Sequence, residues 1–220
     1  MKRISLLWLA LVLGLLAGCA TRPPEFVAQV TIRHTLASAV AGKQFAFARP
    51  APQSQSLLDQ SVEQQVAQEL SAVGLVQAES PQRADWLIAL NYGVDNGQIV
   101  VTQEPVWGTV GYTPYYNWYP GPYGGRMYAP MWYPQPGIVG VQSVQNTVYT
   151  RFLSVDISDR QLLEQGRFAK LYEGKAVNHS ESQDLDTALP WLTRALFQSF
   201  PGFSGTTTTV RLVLPQPAPH

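Results

Sequence analysis

The order of apolar patterns along the chain predicts an α+β fold: a mostly antiparallel sheet with two helices packed on one face, plus a long aromatic Pro/Gly-rich loop. Three observations predict it. Several segments alternate apolar and polar residues as half-buried strands do, two segments carry apolar stripes at helical spacing, and one window between strands is dense in Pro and Gly. In the first strand, Phe26 to Thr35, residues Phe26, Ala28, Val30 and Ile32 share a face. Gln44 to Arg49 reads as a second strand, stopped by Pro50 and Pro52.

Ser56 is placed to cap a helix whose stripe is Leu58, Val62, Val66, Leu70 and Val73, with Asp59, Glu63 and Gln64 expected outside. Gly74 stands where a left-handed residue would end that helix. Asp85 to Val94 is nearly continuous in apolarity, as a central strand is, and Asn96-Gly97 predicts a hairpin that returns Gln98 to Gln103 alongside it. Val144 to Ser158 resumes strand character, with Tyr149, Leu153, Val155 and Ile157 on one face, and Ala169 to Asn178 pairs with it across a turn. Asp186 to Phe200 supplies the second helix, turning Leu189, Leu192, Leu196 and Phe200 inward and tolerating Pro190 in its first turn. Thr206 to Leu214 is a candidate edge strand ahead of a Pro-rich tail.

The start of the chain has the layout of an export leader. Lys2 and Arg3 precede an apolar run from Ile4 to Ala17, too short for the roughly twenty residues a spanning helix needs. Leu16-Ala17-Gly18-Cys19 then resembles a bacterial lipobox, which implies cleavage between Gly18 and Cys19 and acylation of Cys19, the only cysteine of the chain. Several acyl chains hold a protein durably, at about 0.8 kcal/mol per buried methylene. Ala20 rather than Asp follows, which by the same resemblance implies the periplasmic face of a Gram-negative outer membrane. The expected organisation is a leader over 1–18, a lipidated spacer over 19–25, an α+β envelope domain over 26–203 and a tail over 204–220.

Composition narrows the function. Without Lys2 and Arg3 the chain keeps 13 basic residues against 15 acidic, so nothing electrostatic favours nucleic acid. The window 105–137 holds ten aromatic residues: Trp107, Tyr112, Tyr115, Tyr116, Trp118, Tyr119, Tyr123, Tyr128, Trp132 and Tyr133. It also holds seven prolines, six glycines and one charge, Arg126, a density that excludes regular structure in favour of a long loop, either functional or disordered. Tyr and Trp combine large apolar area with a polar handle, which suits a glycan, a protein partner or a lipid headgroup layer. The alternative use for the rings is to cover a bare sheet face or edge.

Catalytic patterns are weak. His179 lies near Ser180, Glu181 and Asp184, and a hydrolase of envelope polymers using His179 with Glu173 is the rival reading, but clustering along the chain is not triad geometry. His-x-x-x-His and paired Cys/His spacing are absent, as are GxSxG, phosphate-loop and dinucleotide fingerprints, so neither a metal nor a cofactor is expected. A third reading is an assembly scaffold or chaperone that offers the Thr206–Leu214 edge to a partner.

A family resemblance runs through these motifs. The lipobox, Gly42-Lys43-Gln44-Phe45-Ala46-Phe47, Leu70-Ser71-Ala72-Val73-Gly74-Leu75 and Ala84-Asp85-Trp86-Leu87-Ile88 come in order. Val155-Asp156-Ile157-Ser158-Asp159, Leu171-Tyr172-Glu173-Gly174 and a closing helix up to Phe200-Pro201-Gly202 complete the series. The chain resembles the bacterial lipoproteins of domain of unknown function 4136. Tyr172 stands where that family usually shows Trp, and Gln161 to Phe168 lengthens a turn. The resemblance implies an envelope α+β domain, with no catalytic residues to transfer.

Overall fold

A computed structural model describes residues 23–36, 40–49 and 56–215. The leader, Gly18, Cys19, Pro50, Pro52 and His220 lie outside the described residues. The chain forms two compact units. The larger takes the described residues up to Val94, Thr150–His179 and those from Gln183 on, and the smaller takes Asp95–Tyr149 with Ser180–Ser182.

The strands are β1 (Glu25–His34), β2 (Gln44–Phe47), β3 (Val76–Gln77), β4 (Trp86–Val94), β5 (Gln98–Pro120), β6 (Arg126–Asp159), β7 (Lys170–Ser180) and β8 (Thr206–Val213). The α-helices are α1 (Leu57–Ala72), α2 (Arg160–Glu164) and α3 (Leu189–Phe197). The protein is thus α+β with sheet predominating. Strand order is β3-β2-β4-β6-β7-β1-β8, and β5 pairs with β6 off this path. Pairings of β1 with β7, β1 with β8, β4 with β6 and β5 with β6 are antiparallel, whereas β2 runs parallel to β3 and β4.

Alternation along the strands decides which side chains are buried. Phe26, Ala28, Val30 and Ile32 of β1 are buried and their neighbours mostly exposed, and Leu153, Val155 and Ile157 of β6 are fully buried. These join Val62, Val66 and Leu70 of α1 and Leu189, Leu192 and Leu196 of α3 in one apolar core. Each such fully buried side chain contributes about 1.5–3 kcal/mol. Tyr172 is also in that core, its ring packed 5.0 Å from Phe200.

The caps hold as their residue types require. Ser56 Oγ accepts from Asp59 N while the Asp59 carboxylate accepts from Ser56 N, a reciprocal capping box. At the other end Gly74 adopts φ +95°, and Leu75 N donates to Leu70 O while Gly74 N donates to Ser71 O, which satisfies the last carbonyls of α1. α3 begins at Leu189, later than the expected Asp186, with Pro190 in its first turn where a missing N–H costs nothing.

Three expectations need correction. Glu63, expected outside α1, is buried and ion-paired with Arg49 at 2.8 Å. The turn after Asp159 folds into α2, capped by the Asp159 carboxylate, which accepts from Leu162 N. Most consequentially, the stretch expected to be a loop is paired strand. β5 runs against β6 from Gln98↔Val148 to Pro120↔Arg126, and the chain reverses at 121–125 rather than at Asn96-Gly97. A two-residue turn of the tightest kind needs positive φ at both positions, and of that pair only Gly97 has it.

One polar network crosses the core strands. Arg151 is buried on β6, its Nε donating to Asn178 Oδ1 at 3.1 Å, a second guanidinium nitrogen donating to the same oxygen, and Nη1 donating to Asp184 O at 2.8 Å. Asn178 Nδ2 in turn donates to Val27 O of β1 at 2.8 Å. Desolvation lowers the Arg151 pKa from its ordinary value, yet a guanidinium titrates so high that it stays charged. Arg151→Met keeps the volume and removes both donors to Asn178 Oδ1. Chemical denaturation is expected to show a loss of about 3 kcal/mol.

Candidate functional site

The hairpin of β5 and β6 is built so that its prolines do no harm. In an antiparallel pair, residues alternate between those bonding inward to the partner and those whose N–H and C=O point away. Gly121 N donates to Gly125 O at 2.7 Å, which marks the odd-numbered pairs from Gly111↔Gln135 to the tip as the inward-bonded ones. Pro114, Pro120, Pro130 and Pro134 are all even-numbered, opposite Trp132, Arg126, Tyr116 and Tyr112. Each ring therefore replaces a donor that had no partner in the ribbon.

The other two prolines of the strands lie at the irregularities. Pro105 precedes the register shift at Val106/Trp107, and Pro136 opposes Thr109 at the shift between Thr109 and Gly111. The first shift leaves Val139 extra on β6 and the second leaves Val110 extra on β5, so the two cancel in the register between the strands. Gly108 and Gly137, paired with each other, make the room: a Cβ on Gly108 would meet Val139 at 2.8 Å, and one on Gly137 would meet Val110 at 2.6 Å.

Directly opposed residues share a face, so the ribbon is aromatic on both sides. One face carries Tyr112, Tyr116, Trp118, Tyr128 and Trp132 among the four prolines, and the other carries Tyr115, Tyr119 and Tyr133 with Met127 and Met131. Tyr128 stacks on Tyr116 (5.5 Å) and meets Trp118 (5.0 Å), while Tyr115 meets Tyr133 edge-on at 6.1 Å. Apart from half-buried Tyr119, the rings from Trp107 to Tyr133 are at least 51% exposed. Tyr123 is fully exposed and takes φ 67°, a left-handed conformation costly for an aromatic residue, at the apex of the turn. The ten rings picked out in the sequence thus come together on one ribbon as a ladder with two aromatic faces. The pairing was hidden because proline and glycine density signals loops unless the parity of the prolines is read.

The rival acid–base pair does not assemble. Glu173 and His179 lie six residues apart on β7, about 20 Å by strand rise. Glu173 accepts from Lys170 Nζ at 2.6 Å, and His179 Nδ1 lies 3.5 Å from Thr150 Oγ1. The Asp184 carboxylate accepts from Thr187 Oγ1 and Thr187 N, which lowers its pKa, and Glu181 is exposed. Among the described residues no cluster of three or more His, Cys, Asp or Glu side chains is arranged to hold a metal, and no helix is long and apolar enough to cross a membrane. An open groove beside α1, about 700 Å³, is lined by Gln60, Gln64, Gln68 and Gln77 with the Arg49–Glu63 pair. These side chains form a polar rim rather than a convergent reactive set.

What the geometry defines is an α+β domain bearing a long aromatic hairpin. The chain belongs to the DUF4136 family, a domain of unknown function, whose model matches residues 33–202. No curated protein matches the sequence. Among solved structures, the chain is similar to a PDZ domain protein from Parabacteroides distasonis, at 14% identity and TM-score 0.42, over 86% of this chain and 39% of that one. The chain thus spans about two fifths of that protein's length. It is also similar to a dodecameric PelC variant from Paraburkholderia phytofirmans, at 14% identity and TM-score 0.32, over 78% of this chain and 98% of that one.

A further polar contact, missed in the sequence, links β4 to the cap of α1: the Tyr92 hydroxyl donates to Asp59 Oδ1. Desolvation first, and then the Asp59 carboxylate, push the Tyr92 phenol up to about 12, while the Tyr92 and Ser56 donors lower Asp59. A phenol whose pKa rises on folding contributes stability that is complete below the unfolded value near 10 and is lost as pH climbs through about 12. Unfolding midpoints measured across that range should fall for wild type and fall less steeply for Tyr92→Phe. Burial also raises Tyr172, so the remaining decline should persist in that variant.

Proposed function

We propose that this protein is a lipid-anchored lipoprotein on the periplasmic face of a Gram-negative outer membrane, a non-catalytic module that contacts another envelope component through its aromatic hairpin. The observation that carries the reading is a coincidence within one chain. Leu16-Ala17-Gly18-Cys19 closes an export leader too short to span, and the ribbon from Trp107 to Tyr133 holds its rings outward. Rings needed for a core would be buried; these are exposed on both faces. The roughly 20 Å separation of Glu173 from His179 along β7 supports a binding role over hydrolysis. One feature favours a second reading, an assembly scaffold: β8 ends the strand order with eight residues free of proline, an edge to which no further strand pairs among the described residues.

Two measurements test the proposal. Wild-type protein should incorporate labelled palmitate and fractionate with outer membranes, and Cys19→Ser should do neither; equal labelling of the two sinks the anchor. High salt should not release the wild type, because burial of acyl chains is not screened by ions. Deleting residues 108–136 should leave a cooperative thermal transition and remove crosslinks to envelope components in intact cells. If the shortened protein keeps every crosslink, the hairpin is not the contact element.

A further inference from the structure

The hairpin's chemistry names what it touches, granted the reading above that it is the contact element. We infer that its apex, from Trp118 to Tyr128, seats in the headgroup layer of a phospholipid bilayer, entering tip first.

Four features of the ribbon point there. First, rings occupy both faces, with Trp118 and Tyr128 on one and Tyr119 on the other. A ribbon lying along a surface uses one face; one that enters by its tip is surrounded. Tyr and Trp are the side chains that favour the membrane–water boundary, since an apolar ring and a polar edge are both accommodated there.

Second, the charge is of the right kind and in the right place. Arg126 is the only charged residue from Pro105 through Thr150, and it flanks the turn opposite Pro120. A cation with a long apolar stem can keep its head at lipid phosphates while the stem lies among the rings. No acidic side chain in that stretch opposes an anionic surface.

Third, the outward row of the ribbon is poor in donors. Pro114, Pro120, Pro130 and Pro134 remove N–H groups that would otherwise point away from the pair. An unpaired N–H is costly wherever water is scarce, and its removal also discourages another strand from adding to the ribbon.

Fourth, the apex holds Tyr123 fully exposed in a left-handed conformation that glycine adopts freely. A turn with no use for the ring would be served better by glycine. The three residue pairs from Trp118 to Pro120 span about 7 Å, within the depth to which interfacial segments bury. A glycan partner fits less well. Recognition of sugar hydroxyls takes polar side chains around the rings, and near the apex the Asn117 Oδ1 already accepts from Trp118 N.

The test uses the full mature chain carrying Cys19→Ser, which has no acyl anchor, with vesicles of phosphatidylethanolamine with or without phosphatidylglycerol. This protein should co-sediment with vesicles, and brominated acyl chains should quench its tryptophan fluorescence. The double variant Tyr123→Gly/Trp118→Ser should sediment about tenfold less well, with unchanged circular dichroism and thermal midpoint. Tyr123→Gly alone relieves backbone strain, cannot be blamed on misfolding, and should still weaken sedimentation. Arg126→Gln should lose about fivefold, only with anionic vesicles. Absence of sedimentation by the parent, or equal sedimentation of parent and double variant, overturns the inference. So does ring-dependent binding to peptidoglycan or ring-dependent self-association without vesicle binding. Palmitate labelling at Cys19 is read separately, so failure of the anchor and failure of the apex are distinguishable.

Discussion

A sheet whose strands are apolar on alternate residues has one face to hide, and the organisation of the larger unit follows from hiding it. Val62, Val66 and Leu70 from α1 and Leu189, Leu192 and Leu196 from α3 meet the even-numbered side chains of β1 and the odd-numbered ones of β6. A register slip of one residue in either strand would exchange buried for exposed side chains along its whole length. Arg151 adds specificity to that apolar constraint. Its guanidinium reaches Asn178 on β7, and Asn178 reaches Val27 O on β1, so three strands are tied by groups that a slipped register would leave buried and unpaired.

Much of this architecture was legible in the residues because the signals were periodic. The alternation of Phe26, Ala28, Val30 and Ile32, the stripe Val62, Val66, Leu70, and the caps Ser56 and Gly74 are local statements with local physical causes, and each element appears within a few residues of where they place it. What escaped were statements between distant residues. Glu63 has a helical surface position by spacing, yet it is buried and pairs with Arg49 from outside the helix; Asp59 reads as a cap residue, yet Tyr92 from another element shares it. No window of sequence contains both partners.

The aromatic ladder is a different case. Composition singles out its residues, but their conformation depends on position along the strands, which composition does not carry. Seven prolines in 33 residues argue for a loop if they fall at random, and for a ribbon where, as with Pro114, Pro120, Pro130 and Pro134, those of the regularly paired stretch share a parity. Asn96-Gly97 misled in the opposite direction, offering favourable turn chemistry where only one of the two residues has the required sign of φ. The larger unit and the ribbon also use aromatic residues in opposite ways. Phe45, Trp86 and Tyr172 are buried, whereas the ladder keeps its rings at the surface, where they do little to fold the chain.

The shared parity of Pro114, Pro120, Pro130 and Pro134 makes the length of the ribbon a stepped quantity. One residue lost from β5 between Gly111 and Pro120 would bring the prolines beyond it to positions that must donate, and break the ladder there. Two residues lost from each strand would leave every proline facing outward and only bring the apex closer. Variation among descendants of this sequence is therefore expected in whole repeats of the pleat, with single-residue changes tolerated only as compensating pairs. Val139 and Val110, one extra residue on each strand, are such a pair, cushioned by Gly108 and Gly137. The ribbon can be retuned in reach while its two aromatic faces are preserved, provided each change counts by twos.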